Sequence, residues 1–152
     1  MIAGIDLGAK CGYALLTEDG YRVSSDTWSL GKRSGASYQR FENLLEELFL
    51  EGVSAVGYEK VRRHRGVEAG HAYGAYEALL LKACYNAGIE MLIQVTVQEA
   101  KRAATGSGAA DKDDMESAAL AHWAYIPDDD NEADALWIAE CTRRRLLHDG
   151  TF

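Results

Sequence analysis

A chain of 152 residues, 47% hydrophobic, has enough apolar material to build one domain spanning 1–152 without a disulfide or structural metal to hold it. Its net charge of −8 weighs against nucleic acid as a partner unless basic residues gather locally. The three cysteines, Cys11, Cys84 and Cys141, offer neither zinc spacing nor a disulfide framework, and no apolar run reaches the length of a membrane span or a leader. The expectation is therefore a cytoplasmic protein with no membrane partner.

Residues 2–7 form an apolar run of small and branched residues that predicts a buried strand carrying Asp6. A carboxylate in such a strand is costly unless a cation or hydrogen bonds compensate it. Residues 12–17 predict a second strand, closed by the turn Glu18-Asp19-Gly20, and the alternation over 21–30 predicts a third. Short turns make these three an antiparallel meander. Tyr38, Phe41, Leu44, Leu45, Leu48 and Phe49 recur at helical spacing, and Gly52 ends that helix. Residues 53–58 predict a short strand with Glu59 at its end. A basic loop, 60–65, leads into an alanine- and leucine-rich helix over 68–86, then a strand over 89–95.

Thr96 and Glu99 have the spacing of a capping box that opens a helix over 97–104. Gly106-Ser107-Gly108 breaks it, 111–124 is helical, 127–131 is a loop, and a last helix runs from about 132 to 147. The order is that of an α/β layered domain: a five-stranded mixed sheet, three antiparallel strands and then parallel ones, with helices on both faces. The first and fourth strands can lie side by side, which would pair Asp6 with Glu59.

Oxygen donors at element ends suit magnesium or manganese rather than zinc. Asn131 and Asp134 share a helical face, as do Asp130 and Asp134. Asp128, Asp129 and Asp130 can equally serve as caps of the last helix. Arg62, Arg63 and Arg65 follow Glu59 closely, where they could face a nucleic-acid backbone; a solvated loop is the alternative. The glycine-rich turn before the helix at 111 offers free amides to a phosphate, flanked by Lys101 and Lys112. No Gly-Lys-Ser/Thr follows, so it is not a nucleotide-binding P-loop. Tyr73 and Tyr76 read as packing residues or stacking platforms, and 143–145 as the cations of a helix C-terminus.

Taken together, Gly4-Ile5-Asp6-Leu7-Gly8 with Gly12, Tyr58-Glu59-Lys60-Val61, the segment from Lys101 to Lys112, and Glu132-Ala133-Asp134-Ala135-Leu136-Trp137-Ile138-Ala139 resemble, in order, the motifs of the RuvC family of Holliday junction resolvases. Any one motif is weak; the four in order are specific. The resemblance implies a ribonuclease H-like fold and magnesium-dependent cutting, with manganese able to substitute. It implies a homodimer acting on four-way junctions and other branched DNA, in the cytoplasm of a bacterium or a phage-infected bacterial cell. Asp6, Glu59 and Asp134 would hold the ions, Lys101 and Lys112 would meet phosphate, and Lys10, Arg62, Arg63, Arg65, Arg102 and Ser107 would join them on DNA.

The sequence departs from the family at two places. The fourth ligand is commonly Asp or His and is Asn131 here, with Asp130 as a possible substitute. The wedge phenylalanine after the second acid is replaced by Arg62, which points to broader cutting of branched DNA and resembles the smaller phage-encoded resolvases. Two other readings stand beside this one: a YqgF-like RNA nuclease, and a catalytically inactive module that binds branched nucleic acid.

Overall fold

A computed structural model of the chain describes residues 1–61 and 66–148. Strands β1 (Ile2–Asp6), β2 (Lys10–Leu16) and β3 (Arg22–Ser29) are followed by α1 (Gly35–Phe49), β4 (Ala55–Glu59), α2 (Val67–Ala87) and β5 (Met91–Val95). Helices α3 (Val97–Thr105), α4 (Lys112–Trp123) and α5 (Asp130–His148) complete the order. The five strands form one sheet in the order β3-β2-β1-β4-β5. The β1–β2 and β2–β3 pairings are antiparallel, whereas β1–β4 and β4–β5 are parallel. This is the mixed sheet the sequence predicts. No helix of the described residues is long and apolar enough to cross a membrane.

The two faces are packed by different means. One face of the sheet meets α1 and α2 through large side chains, among them Phe41, Leu45, Tyr76 and Leu80, all buried with Ile5, Leu15 and Val56. Each large side chain removed from water there contributes roughly 1.5–3 kcal/mol. The other face meets α5 through small residues: Ala135 and Ala139 pack with Ala14, Leu16 and Leu136. Glycines allow the close approach. A Cβ at Gly12 would run into the Asn131 carbonyl, and one at Gly4 into the Ala135 carbonyl. The sheet therefore fixes both the height and the rotation of α5, and with them the positions of Asn131 and Asp134.

Boundaries shift by one to three residues where caps decide them. Helix α1 starts at Gly35 rather than near Tyr38, because Ser34 and Ser37 form a reciprocal capping box. Thr96 and Glu99 form the expected box at α3, and Asp111 caps α4 with Asp114 answering it. Helix α5 begins at Asp130, two residues early, because the Asp129 carboxylate accepts the backbone N–H of Glu132 at 3.0 Å. Of Asp128, Asp129 and Asp130, Asp129 is the cap.

Candidate active site

Parallel pairing of β1 with β4 places Ile5 opposite Tyr58, so Asp6 and Glu59 end neighbouring strands on the same edge of the sheet. Tyr73 on α2 donates its hydroxyl to the Glu59 carbonyl at 2.6 Å, tying down that strand end. Asp134, one turn into α5, comes over the same edge. The Asp6 carboxyl is pushed well above the usual carboxylate range by burial first, then by the Glu59 and Asp134 charges. A hydrogen bond between the Asp6 and Glu59 carboxyl groups adds to the rise. The Asp134 carboxyl is pushed up to about 6 by burial and by Glu59, with Lys101 and Lys112 pulling the other way.

Two neighbouring acids with a third charge against them form a concentration of negative charge that a divalent cation would neutralise. The donors are hard oxygens, as magnesium and manganese require, and on that chemistry the residues fit such an ion. As they stand, no three acidic, histidine or cysteine side chains among the described residues close round a single point. The carboxylates are neighbours and not a finished cage.

Beside them opens a cleft of about 330 Å³. Lys101, Lys112, Asp130, Asn131 and Asp134 line it, over a floor that includes Met115. Lys101 reaches it from α3 and donates to the Ala110 carbonyl at 2.5 Å, which draws the glycine-rich turn against α3. Lys112 opens α4 and pairs with the Asp130 carboxylate. Asn131 turns toward Asp129, whose carboxylate accepts from the Asn131 side-chain amide and from its backbone N–H. Thr27 donates to the same carboxylate at 2.6 Å. These donors outweigh burial and hold Asp129 below the usual carboxylate range.

The remaining residues singled out in the sequence fall in several places. Lys10 is exposed at the start of β2, at the Asp6 end of the sheet. Arg102 is exposed near the end of α3, its guanidinium close to Gly108, and Ser107 is exposed in the turn. Arg62, Arg63 and Arg65 lie outside the described residues. Tyr76 is buried against Tyr38 and Phe41 and offers no stacking face.

The cations at 143–145 are more than dipole partners. Arg143 and Arg144 both bind Glu140, at 2.7 Å each, and Arg145 binds Glu99 at 2.5 Å. Sequence reading also missed Glu132, which is buried and accepts from Ser25 and Tyr125 while Arg22 stands 3.8 Å away. The spacing of Glu140 three and four residues before two arginines was a signal of its role. Nothing local marks Glu132, whose side-chain donors come from β3 and from the loop before α5.

No protein-family profile matches the chain, and no curated protein does. Solved structures do. The RuvC of Thermus thermophilus in complex with a Holliday junction substrate superposes with a TM-score of 0.81 at 22% identity, covering 99% of this chain and 96% of that one. A second Thermus thermophilus RuvC structure gives 0.77 at the same identity and coverage. The yeast mitochondrial Holliday junction resolvase Ydc2 gives 0.63 at 16% identity, covering 97% of this chain and 80% of that one. The chain has the ribonuclease H-like fold of these resolvases.

Proposed function

We propose that the chain is a metal-dependent, structure-selective endodeoxyribonuclease that nicks Holliday junctions or other branched DNA. On this reading residues 1–152 work as one nuclease domain within a cytoplasmic homodimer and leave 5′-phosphate and 3′-hydroxyl ends. The observation that carries it is the meeting of Asp6, Glu59 and Asp134 at one sheet edge beside a cleft lined by two lysines. The likeness in fold to RuvC bound to a junction supports the choice of branched DNA.

Asp6, Glu59 and Asp134 would hold magnesium, or manganese in its place, with Asn131 adding a neutral oxygen. A pair of such ions supplies Lewis acidity toward the phosphodiester and the attacking water, in a displacement that keeps the entering and leaving oxygens in line. The chain's own part is to bring the strand there and neutralise it. Lys101 and Lys112 carry the positive charge that meets the phosphate oxygens, and the tie from Lys101 to Ala110 fixes its direction. Lys10, Arg102 and Ser107 offer a charged and polar rim, and Arg62, Arg63 and Arg65 follow Glu59 as further cations for the backbone.

Cleavage of a labelled four-way junction, a linear duplex and a structured RNA, with and without magnesium, tests this reading. The expected result is junction nicking that needs the metal. Asp6→Asn or Glu59→Gln should lower it at least about a thousandfold, the loss of several kcal/mol of charge stabilisation, while junction binding persists. Preferential RNA cutting would support the YqgF-like reading. Junction binding with no cleavage in magnesium or manganese would support the inactive module.

A further inference from the structure

The first turn of α5 presents two oxygen-bearing side chains to the cleft, Asp130 and Asn131, and by charge alone Asp130 is the stronger candidate for a metal ligand. Their partners divide them differently. The Asp130 carboxylate is taken by the Lys112 ammonium across the gap between the starts of α4 and α5. Asn131 is oriented from the opposite side. Its amide N–H donates to the Asp129 carboxylate, itself fixed by Thr27 and by the Glu132 backbone. An amide whose nitrogen is engaged in this way keeps its oxygen for another partner.

Resting on the nuclease reading, we infer that Asp130 is a positioning residue that holds Lys112 at the mouth of the cleft and is not a metal ligand. Lys112 is otherwise exposed on a long, flexible side chain, and an ammonium on such a stem is poorly directed without an anchor. Asp130 supplies the anchor from α5, the same helix that carries Asp134. The ammonium is thereby set at a fixed place relative to the acid cluster, where a phosphate oxygen entering the cleft can take it over from the carboxylate. Asn131 alone serves the fourth donor position, with one negative charge fewer than an aspartate would bring.

Two measurements decide this. In calorimetric titration of manganese into DNA-free protein, Asp130→Asn should bind within threefold of wild type, whereas Asn131→Asp should bind about tenfold more tightly. A tenfold loss of manganese affinity in Asp130→Asn would make it a ligand and overturn the inference. In junction-cleavage kinetics, Asp130→Asn should lower kcat about tenfold with KM nearly unchanged, and Asp130→Glu should recover most of it. Added to Lys112→Ala, Asp130→Asn should cost nothing further; losses that multiply would show that Asp130 acts without Lys112 and would also overturn it. A wild type that cleaves no junction would count against the nuclease reading itself, and the manganese titration would still judge whether Asp130 is a ligand.

Discussion

Helix α5 carries buried acids of two opposite kinds. Glu132 and Glu140 are almost wholly inside the protein and are saturated with donors. Glu132 takes two hydroxyls and the backbone N–H of Asp128, and Glu140 takes two arginines. Asp134 is less deeply buried, yet among the described residues no donor reaches its carboxylate, and its nearest strong influence is another acid. The arginines more than offset burial at Glu140 and hold it below the usual range; at Asp134 nothing offsets burial enough, and the carboxyl rises to about 6. Burial alone therefore does not separate a structural acid from a functional one. The separating property is whether the fold supplies the charge's partners or leaves them to come from outside.

That contrast can be broken by substitution, and the largest expected effect is on Glu140. Glu140→Gln leaves two arginines without their shared carboxylate and should cost about 3 kcal/mol of stability at pH 7, at the low end of the range for a broken buried pair because Arg144 still reaches water. Chemical denaturation measures it. Glu140 holds its proton less tightly folded than unfolded, so its contribution is present above the ordinary glutamate value. It is lost as the pH falls through the lower folded value, and the gap between wild type and variant should narrow on strong acidification.

Asp134→Asn should do the reverse. In metal-free protein the carboxyl holds its proton more tightly folded than unfolded. Its contribution is therefore full below the ordinary aspartate value and lost as the pH rises through about 6. At pH 8 the asparagine variant should be more stable than wild type by roughly 2 kcal/mol, a difference that closes by about pH 4. A destabilised variant at pH 8 would put Asp134 in the same class as Glu140.

The smallest effect sharpens the boundary between the two classes. Thr27→Ala removes one of several donors to Asp129 and should cost about 1 kcal/mol, with little change in its pH dependence, because the backbone and amide donors remain. Thermal melting at pH 5 and pH 8 checks both parts.

Much of this was legible in the sequence. The order of elements, the meander and the cap at Thr96 followed from local patterns that the tertiary structure did not override. So did the placing of Asp6 and Glu59 at adjacent strand ends, because parallel pairing of the first and fourth strands leaves few other arrangements. The start of α5 was misread by two residues because three consecutive aspartates can each cap a helix. Asp129 is the one that meets both the Glu132 backbone and Thr27 on a distant strand. Glu132 was read only as part of a motif, since its side-chain partners Ser25 and Tyr125 are brought to it by folding. The arginines at 143–145 looked like free cations until their carboxylates, Glu140 and Glu99, were placed beside them.

The most direct test of the central claim, that the acids at the sheet edge lack a partner the fold does not provide, is the effect of manganese on thermal stability. At a hundred times its dissociation constant, an ion that binds only the folded state stabilises it by about 2.7 kcal/mol. Wild type at pH 8 should melt at a temperature higher by about 5–10 °C, and Asp6→Asn should show little of that rise. Equal rises in wild type and Asp6→Asn, or none in either, would contradict it.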